Sequence, residues 1–257
     1  MAWADSMAMM RCVGLAVVSR VVMLATLLVA APDPARAASF TIDPLKVVLS
    51  ESQASTVIRV QNTGKDTLTL QLQPRRWRQE PRTERLEPTR ELVVTPQIFR
   101  IKPGSTQLVR IAMLGKPDPE RESAYRLVFD EIPAPPAADF IGVQVAMQIT
   151  IPLFISPQNR TNAALRLSVR ESGNSKLIIV AENQGNAHTH LKKFIVARHG
   201  DDTVAPVEIE MPAYLLPGVT REFQVPRPLW MLESSEKVSI KAIGVTGTVE
   251  FDGLVPR

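Results

Sequence analysis

The side chains most able to do chemistry in this sequence are three histidines in its second half. They are His188, His190 and His199. His188 and His190 alternate, so on a strand they would share one face and could supply two ligands to a metal ion. No third or fourth ligand is evident beside them, and exposed polar residues on a turn and a strand start are the alternative. The spacing therefore does not predict a metal site.

The usual catalytic motifs are missing from the sequence. Its only cysteine, Cys12, lies in the N-terminal segment described below, and neither Gly-x-Ser-x-Gly nor His-Glu-x-x-His occurs. No glycine-rich loop that would cradle a phosphate is present either. We therefore expect no catalytic residue, no metal and no cofactor, and we predict that the protein is not an enzyme.

The most regular pattern lies in residues 142–157, GVQVAMQITIPLFISP. Every second residue is apolar, which predicts a strand with one apolar face and one mixed face. The apolar residues are Val143, Val145, Met147, Ile149, Ile151 and Leu153. Such a strand needs one apolar partner, which is either the core of its own domain or, at a sheet edge, the incomplete sheet of another protein. The pattern alone leaves both interpretations open.

Residues 1–37 have the features of a cleaved secretory signal. Arginines precede an apolar run at residues 21–31, and Ala-Arg-Ala at residues 35–37 forms a small-x-small cleavage site. The apolar run is shorter than the roughly 20 residues that span a bilayer, which argues against a membrane anchor. We therefore expect export, a mature chain that begins at Ala38, and no membrane insertion after cleavage.

The mature chain would contain no cysteine and little net charge. The leader holds three of the 30 basic and two of the 26 acidic residues, which leaves a net charge of +3. This charge is too small to predict binding to nucleic acid. An exported chain without disulfides must be held by large apolar cores. The 220 residues after the leader suit two domains of roughly 100 to 120 residues each.

Short alternating runs, frequent prolines and the lack of helical periodicity predict an all-β protein made of antiparallel sandwiches. The run VIRVQNTGKDTLTLQL from Val57 resembles LIIVAENQGNAHTHLKKFIV from Leu177, and each has an Asn-x-Gly turn between two strands. Pro-Gly pairs at residues 103–104 and 217–218 form a second related pair. We expect that a domain-sized unit is used twice, with chance similarity of common turn residues as the alternative.

We place the boundary between the two units at a polar break, Pro-Gln-Asn-Arg, at residues 157–160. This gives a signal peptide at residues 1–37, an N-terminal domain at residues 38–157 that carries the alternating strand, and a C-terminal domain at residues 158–257. Residues 74–90 are dense in charge and proline. They predict a long exposed loop, with a docking surface for an acidic partner as the alternative.

Nearly all of the mature chain resembles the periplasmic pilus-assembly chaperones of the chaperone/usher pathway, the PapD-like family, and three stretches of the predicted N-terminal domain carry the resemblance most strongly. They are TPQIFRIKPGSTQLVR at residues 95–110, ESAYRLVFDEIP at residues 122–133 and VQVAMQ at residues 143–148. The resemblance implies two immunoglobulin-like β-sandwich domains set at an angle. It also implies a periplasmic chaperone in fimbrium biogenesis, with pilin subunits and an outer-membrane usher as its partners.

By this resemblance the alternating strand is a donor strand, lent to a pilin whose own sandwich lacks its last strand. The subunit-binding residues would be Val143, Val145, Met147, Ile149 and Ile151. An exported structural or adhesive sandwich protein that uses the strand as ordinary core is the alternative function. Self-association of the free protein through the donor strand is a further expectation.

The resemblance also places Lys46 at one of the two basic positions that hold the pilin's terminal carboxylate. Pro152 stands where the second basic residue, a lysine, is expected, and Arg100 and Arg110 are candidates to replace it. Arg110 and Glu122 resemble members of the family's charge network. These departures predict a divergent branch of the family, of the archaic or spore-coat-protein-U type.

Overall fold

Every regular element in the described chain is a β-strand. The computed structural model describes residues 40–135, 142–172, 176–201, 203–231, 237–245 and 247–255. These ranges contain no helix, and so none that is long and apolar enough to cross a membrane. The predicted signal peptide, residues 1–37, lies outside the described residues.

The first ten strands form two sheets around one apolar core. Their ranges are β1 (Phe40–Asp43), β2 (Val47–Leu49), β3 (Ser55–Asn62), β4 (Leu68–Gln79), β5 (Glu84–Pro88), β6 (Leu92–Thr95), β7 (Ile98–Ile101), β8 (Thr106–Met113), β9 (Ser123–Glu131) and β10 (Gln148–Ile155). One sheet has the order β1-β3-β8-β6, and the other has the order β2-β10-β9-β4-β5 with β7 paired to β4. Alternation builds the core: on β3, Ile58 and Val60 are fully buried whereas Val57 and Arg59 are exposed. Two sheets that meet on their apolar faces form a sandwich.

The remaining seven strands form a second pair of sheets with a core of its own. Their ranges are β11 (Leu165–Glu171), β12 (Lys176–Asn183), β13 (Thr189–Arg198), β14 (Val207–Leu215), β15 (Thr220–Pro226), β16 (Lys237–Gly244) and β17 (Gly247–Leu254). The sheet orders are β11-β12-β15 and β14-β13-β16-β17. Phe194 and Phe223 come from opposite sheets and meet in this core, with ring centroids 5.2 Å apart.

The repeat expected from the sequence is present as the same hydrogen bonds in both sandwiches. The fully buried Asn62 side chain donates to two backbone carbonyls at 2.7 and 2.8 Å and accepts from a backbone N–H at 2.8 Å. Asn183 makes the corresponding bonds at 2.8, 3.0 and 3.0 Å. Gly104 and Gly218, with φ of 70° and 69°, donate their N–H groups to the carbonyls of these asparagines. A left-handed backbone at both positions explains the paired glycines.

Residues 74–90 do not form the predicted exposed loop. Instead β4 runs on to Gln79 and pairs with β5 in a hairpin, called here the β4–β5 hairpin (residues 74–88). The high charge suggested a loop, but arginines and glutamates pair with each other, as in the 3.0 Å contact between Arg78 and Glu87. The hairpin also reaches the second sandwich, where the Gln79 amide bonds the backbone of residues 214–216 in both directions at 2.9 Å.

A small apolar cluster lies where the two sandwiches meet. It consists of the buried residues Trp77, Ala124, Phe154 and Leu216, with Tyr214 and Val219 packed against them. Because Trp77 and Phe154 come from the first sandwich and Leu216 from the second, this cluster joins the two. The domain boundary at residue 157 stays a prediction, since residues 39–257 form one compact unit.

Candidate functional site

The alternating segment divides into an exposed part and a buried part. The strand predicted from residue 142 begins only at Gln148 in the structure. Before it, Val143 and Val145 are 87% and 75% exposed, whereas Ile151 and Leu153 within it are 2% and 0% exposed. Neither the core interpretation nor the docking interpretation therefore describes the whole segment. Its second half is the protein's own core, and its first half is free.

Pairing with β9 explains where this division falls. The Met147 carbonyl accepts from the Glu131 N–H at 2.9 Å, and the Met147 N–H donates to the Glu131 carboxylate at 3.1 Å. Met147 and Ile149 are half-buried against the first core, and Ile151 lies inside it. Ile151 was predicted to bind a subunit, but its side chain is not accessible here because that core encloses it. The accessible apolar residues form what we call the exposed apolar segment (residues 143–149).

β10 has an open edge beside this segment. On one side the whole strand pairs antiparallel with β9. On the other side only residues 153–155 pair, in parallel with β2. From Gln148 to Pro152, no strand in the described part of the chain pairs with this second side. Backbone groups there can accept a further strand, although Pro152 has no N–H to offer.

Lys46 and Arg126 lie on either side of Pro152. Arg126 of β9 pairs with Pro152, and Val47, the first residue of β2, pairs with Leu153, so Lys46 directly precedes β2. Arg126 lies between the buried residues Tyr125 and Leu127, so its side chain points away from the first core, and Lys46 is exposed. Two strand spacings put their backbones about 10 Å apart, a gap that two long side chains can close around one carboxylate.

The Arg126 guanidinium is held by aromatic rings, and no carboxylate among the described residues is hydrogen-bonded to it. Its Cζ lies 3.7 Å from the Trp77 ring centroid and 5.7 Å from that of Tyr214. The Glu84 carboxylate is 3.9 Å away, which is too far for a hydrogen bond. Burial lowers the pKa of Arg126 and the Glu84 charge opposes this, but arginine stays protonated in proteins. Together with His190 it lines a cavity of about 570 Å³.

His190 lies on β13 of the second sandwich. Its ring stacks on Tyr214 with the centroids 4.2 Å apart. Burial lowers the pKa of His190, and the nearby His188, Lys46 and Lys192 lower it further. The imidazole is therefore neutral at neutral pH, because the ordinary pKa is already about 6.5.

Arg110 and Glu122 resemble members of the family's charge network, and in the structure Glu122 pairs with His188 rather than with Arg110. The buried Glu122 carboxylate accepts from the His188 backbone N–H at 3.0 Å and from its ring Nδ1 at 2.8 Å. The His188 ring in turn stacks on Phe154 of β10, with the centroids 3.6 Å apart. Arg110 is exposed on β8 in the other sheet, and Arg100 lies on β7, which does not neighbour β10. Neither arginine can serve as the second cation beside Pro152.

The histidines do not form a metal site in the part of the chain that the structure describes. No group of three or more histidine, cysteine, aspartate or glutamate side chains is arranged there to hold a metal ion. His188 and His190 are instead engaged with Glu122 and Tyr214.

Sequence reasoning missed Arg126 and Trp77 as members of this site. Arg126 falls in YRLVF, which was predicted as a strand, and alternation alone puts its side chain on the face opposite Tyr125. Its position beside Pro152 depends on the register between β9 and β10, which the sequence pattern does not fix. The signal for Trp77 was a large aromatic residue within a charged stretch, where a solvated loop would not need one.

The described chain thus consists of two β-sandwiches, with an exposed apolar segment at an open sheet edge, one cation on the neighbouring strand β9 and another directly before β2. Residues 39–161 match the family model described as Pili and flagellar-assembly chaperone, PapD N-terminal domain. The first sandwich is therefore similar to this family of PapD-like pilus-assembly chaperones. The expected fold class, all-β with two sandwiches, is confirmed.

Named proteins similar to this chain are also chaperones. Chaperone protein FaeE of Escherichia coli is 32% identical over 93 residues, which cover 34% of this chain and 35% of FaeE. The chain thus spans about a third of the length of this relative. Chaperone protein ClpE of Escherichia coli matches to the same extent, at 32% identity over 93 residues.

Solved structures share the fold over most of the chain. One is a chain of the CsuC–CsuE chaperone–tip adhesion subunit pre-assembly complex from archaic chaperone-usher Csu pili of Acinetobacter baumannii. It has a TM-score of 0.62 and 21% identity, covering 85% of this chain and 99% of that chain. The E. coli chaperone DraB has a TM-score of 0.53 and 21% identity, covering 86% and 98%. At these identities the likeness shows the fold alone.

Proposed function

We propose that this protein is a periplasmic chaperone that binds pilin subunits by lending them the exposed apolar segment as a donor strand. The observation that carries the proposal is the exposure of Val143 and Val145, 87% and 75%, beside the open edge of β10. Exposed apolar side chains next to unpaired strand groups promote aggregation, so a protein gains from keeping them only if a partner uses them.

A pilin subunit that lacks its last strand has the complementary surface. Its groove exposes apolar side chains and unpaired backbone groups, which an alternating strand fills and pairs. Each valine buried in such a groove contributes about 1.5 to 3 kcal/mol. Met147 and Ile149 are half-buried already, so they would contribute only the part of their surface that is still exposed. The same edge would allow two free copies to pair with each other when no subunit is bound.

Lys46 and Arg126 are the residues that we propose hold the subunit's terminal carboxylate. Pro152 removes the lysine expected on β10, and Arg126 supplies a cation from the adjacent strand instead. An arginine fork binds both carboxylate oxygens with parallel N–H groups, and such charge-assisted bonds are stronger than neutral ones. The absence of a hydrogen-bonded carboxylate on Arg126 within the described residues supports this role.

The names of the similar proteins agree with the proposed partner. FaeE, ClpE and DraB are named chaperones, and the CsuC–CsuE complex is named for a chaperone and a tip adhesion subunit. We propose that the partner of this chain is likewise a pilus subunit, and that the chain delivers it to an outer-membrane usher. We also propose that the chain belongs to a divergent archaic-type branch.

The proposed location is the periplasm, and the proposed role is not enzymatic. Export follows from the signal peptide predicted at residues 1–37. Donor-strand binding uses apolar burial, backbone pairing and two cations, so it requires no reacting group, metal or cofactor.

The proposal is tested by identifying the proteins that the chain captures in the periplasm. The full chain, tagged at its C-terminus, is expressed with its leader, and bound proteins in a periplasmic extract are identified by mass spectrometry. We expect pilus subunits with the wild type and their loss with Val145→Asp. Val245→Asp is the matched control, because Val245 is 60% exposed but lies after β16 in the second sandwich.

Three results would count against the proposal. The first is a folded Val145→Asp protein that captures as much subunit as the wild type. The second is protein found in the cytoplasm with its leader intact. The third is protein found within an assembled surface fibre with no captured subunit, which would favour the structural or adhesive alternative.

A further inference from the structure

The Trp77 ring is the surface on which the Arg126 guanidinium rests. Trp77 is 2% exposed, and its ring centroid lies 3.7 Å from the Arg126 Cζ. Indole is the strongest cation–π partner among the aromatic side chains. The rings of Phe154 and Tyr214 lie 6.1 and 5.7 Å from the Trp77 ring, so the indole is packed on other sides as well.

The orientation of the Trp77 ring is fixed by hydrogen bonds that reach the second sandwich. The indole N–H donates to the Glu84 carboxylate at 3.1 Å. Glu84 also accepts from the Gln79 amide at 3.1 Å and from the Arg221 guanidinium at 3.0 Å. Arg221 lies on β15, so the ring is held from both sandwiches.

Stacking orders an arginine without occupying its donors. The N–H groups of a guanidinium lie in its plane, whereas an aromatic ring contacts the face of that plane. A protein carboxylate would also order the side chain, but it would use the N–H groups that a ligand needs. Within the described residues the nearest carboxylate, Glu84, stays beyond hydrogen-bond distance at 3.9 Å, so the Arg126 donors can turn to a ligand's carboxylate while the ring holds the side chain in place.

We infer that Trp77 is a positioning residue that holds the Arg126 guanidinium in its carboxylate-binding orientation. This inference rests on the proposed function, in which Lys46 and Arg126 bind a subunit's terminal carboxylate. It adds that the strength of this anchor depends on a residue of the β4–β5 hairpin that does not itself touch the carboxylate.

The test measures how much of the binding affinity depends on the ligand's terminal carboxylate. The probe is an N-terminally labelled octapeptide of alternating threonine and valine, prepared as the free acid and as the C-terminal amide. Fluorescence anisotropy with the full mature chain gives the ratio of the amide Kd to the acid Kd. In the wild type we expect a ratio of about 10 or more, the size of a charge-assisted hydrogen bond.

Trp77→Leu keeps apolar bulk but removes the ring, so the ratio should fall severalfold, to the part that Lys46 alone supplies, while binding of the amide peptide is unchanged. Trp77→Phe keeps a ring and should retain the ratio to within about twofold. Arg126→Lys keeps the charge but lacks a planar group that can stack, so it should also lose most of the ratio. This variant leaves the buried indole in place, which keeps the test valid if Trp77→Leu does not fold.

The possible results distinguish the two claims. A wild-type ratio near 1 would overturn the carboxylate anchor in the proposed function. A high wild-type ratio that persists in folded Trp77→Leu, or in Arg126→Lys, would leave the anchor intact and overturn the positioning role of Trp77.

Discussion

The same type of substitution at two positions of the alternating segment should have opposite effects on stability. Val145→Asp puts a carboxylate on a side chain that is 75% exposed, where it remains hydrated. We expect the free energy of unfolding to change by no more than about 0.5 kcal/mol. Ile151→Asp puts it on a side chain that is 2% exposed, inside the first core. Removing a buried isoleucine costs about 2 to 5 kcal/mol, and burying an unpaired charge adds to this.

A total loss of this size is comparable with the whole stability of a domain, about 5 to 15 kcal/mol. We therefore expect Ile151→Asp to unfold the first sandwich or to lower its urea midpoint strongly, as followed by circular dichroism. Ile151→Val is the control and should cost only about 0.5 to 1.5 kcal/mol. If Val145→Asp unfolds the protein as Ile151→Asp does, residues 143–149 are core and the division of the segment is wrong. A stable Ile151→Asp protein would also refute this division, because residue 151 would then not be buried core.

Three further predictions concern the anchor, the repeat and the interface between the sandwiches. Lys46→Ala and Arg126→Ala should each weaken subunit capture by about 10-fold or more without changing the urea midpoint, because each removes a charge-assisted hydrogen bond. Unchanged affinity for the subunit in a pull-down titration would count against the proposed carboxylate anchor. Asn62→Ala and Asn183→Ala should each destabilise their sandwich by about 2 to 4 kcal/mol, because three buried hydrogen bonds are lost in each case; a midpoint close to that of the wild type at either position would contradict this. The pKa of His190 is lowered in the folded protein, so the unfolded chain binds a proton at this residue more readily. The free energy of unfolding should therefore fall as the pH drops below about 6.5. The fall should be smaller in His190→Gln, and an identical pH profile in that variant would exclude His190 as its cause.

The fold could be predicted from the sequence because its signals are local. Alternating runs that contain Val57, Leu70 and Val109 all became strands with one buried face. The repeat could be recognised from Asn62 and Asn183, because each turn uses an asparagine amide and a glycine two residues later, and both residues can be read in the sequence. Residues 74–90 were misjudged because the pairing of their charges across a hairpin depends on tertiary contacts rather than on composition.

The candidate site was predictable only in part. Alternation identified Val143 and Val145, but it does not tell an exposed apolar face from a buried one, so it included Ile151 as well. That distinction depends on how far β9 and the opposite sheet extend along the strand. Arg126 was missed because its relation to Pro152 is set by strand register, which one sequence does not reveal.

Amide hydrogen exchange tests the central claim, that the exposed apolar segment and the open edge of β10 are lent to a subunit, most directly. Exchange is compared between the free protein and its complex with the pilus subunit recovered in the periplasmic capture. In the free protein, amides of residues 143–146 should exchange fast, because this segment lies before β10 and outside its pairing with β9. Binding should slow them by about 10-fold or more, as new backbone hydrogen bonds form, and should leave β17 unchanged. A complex in which residues 143–146 exchange as fast as in the free protein would contradict the donor-strand role.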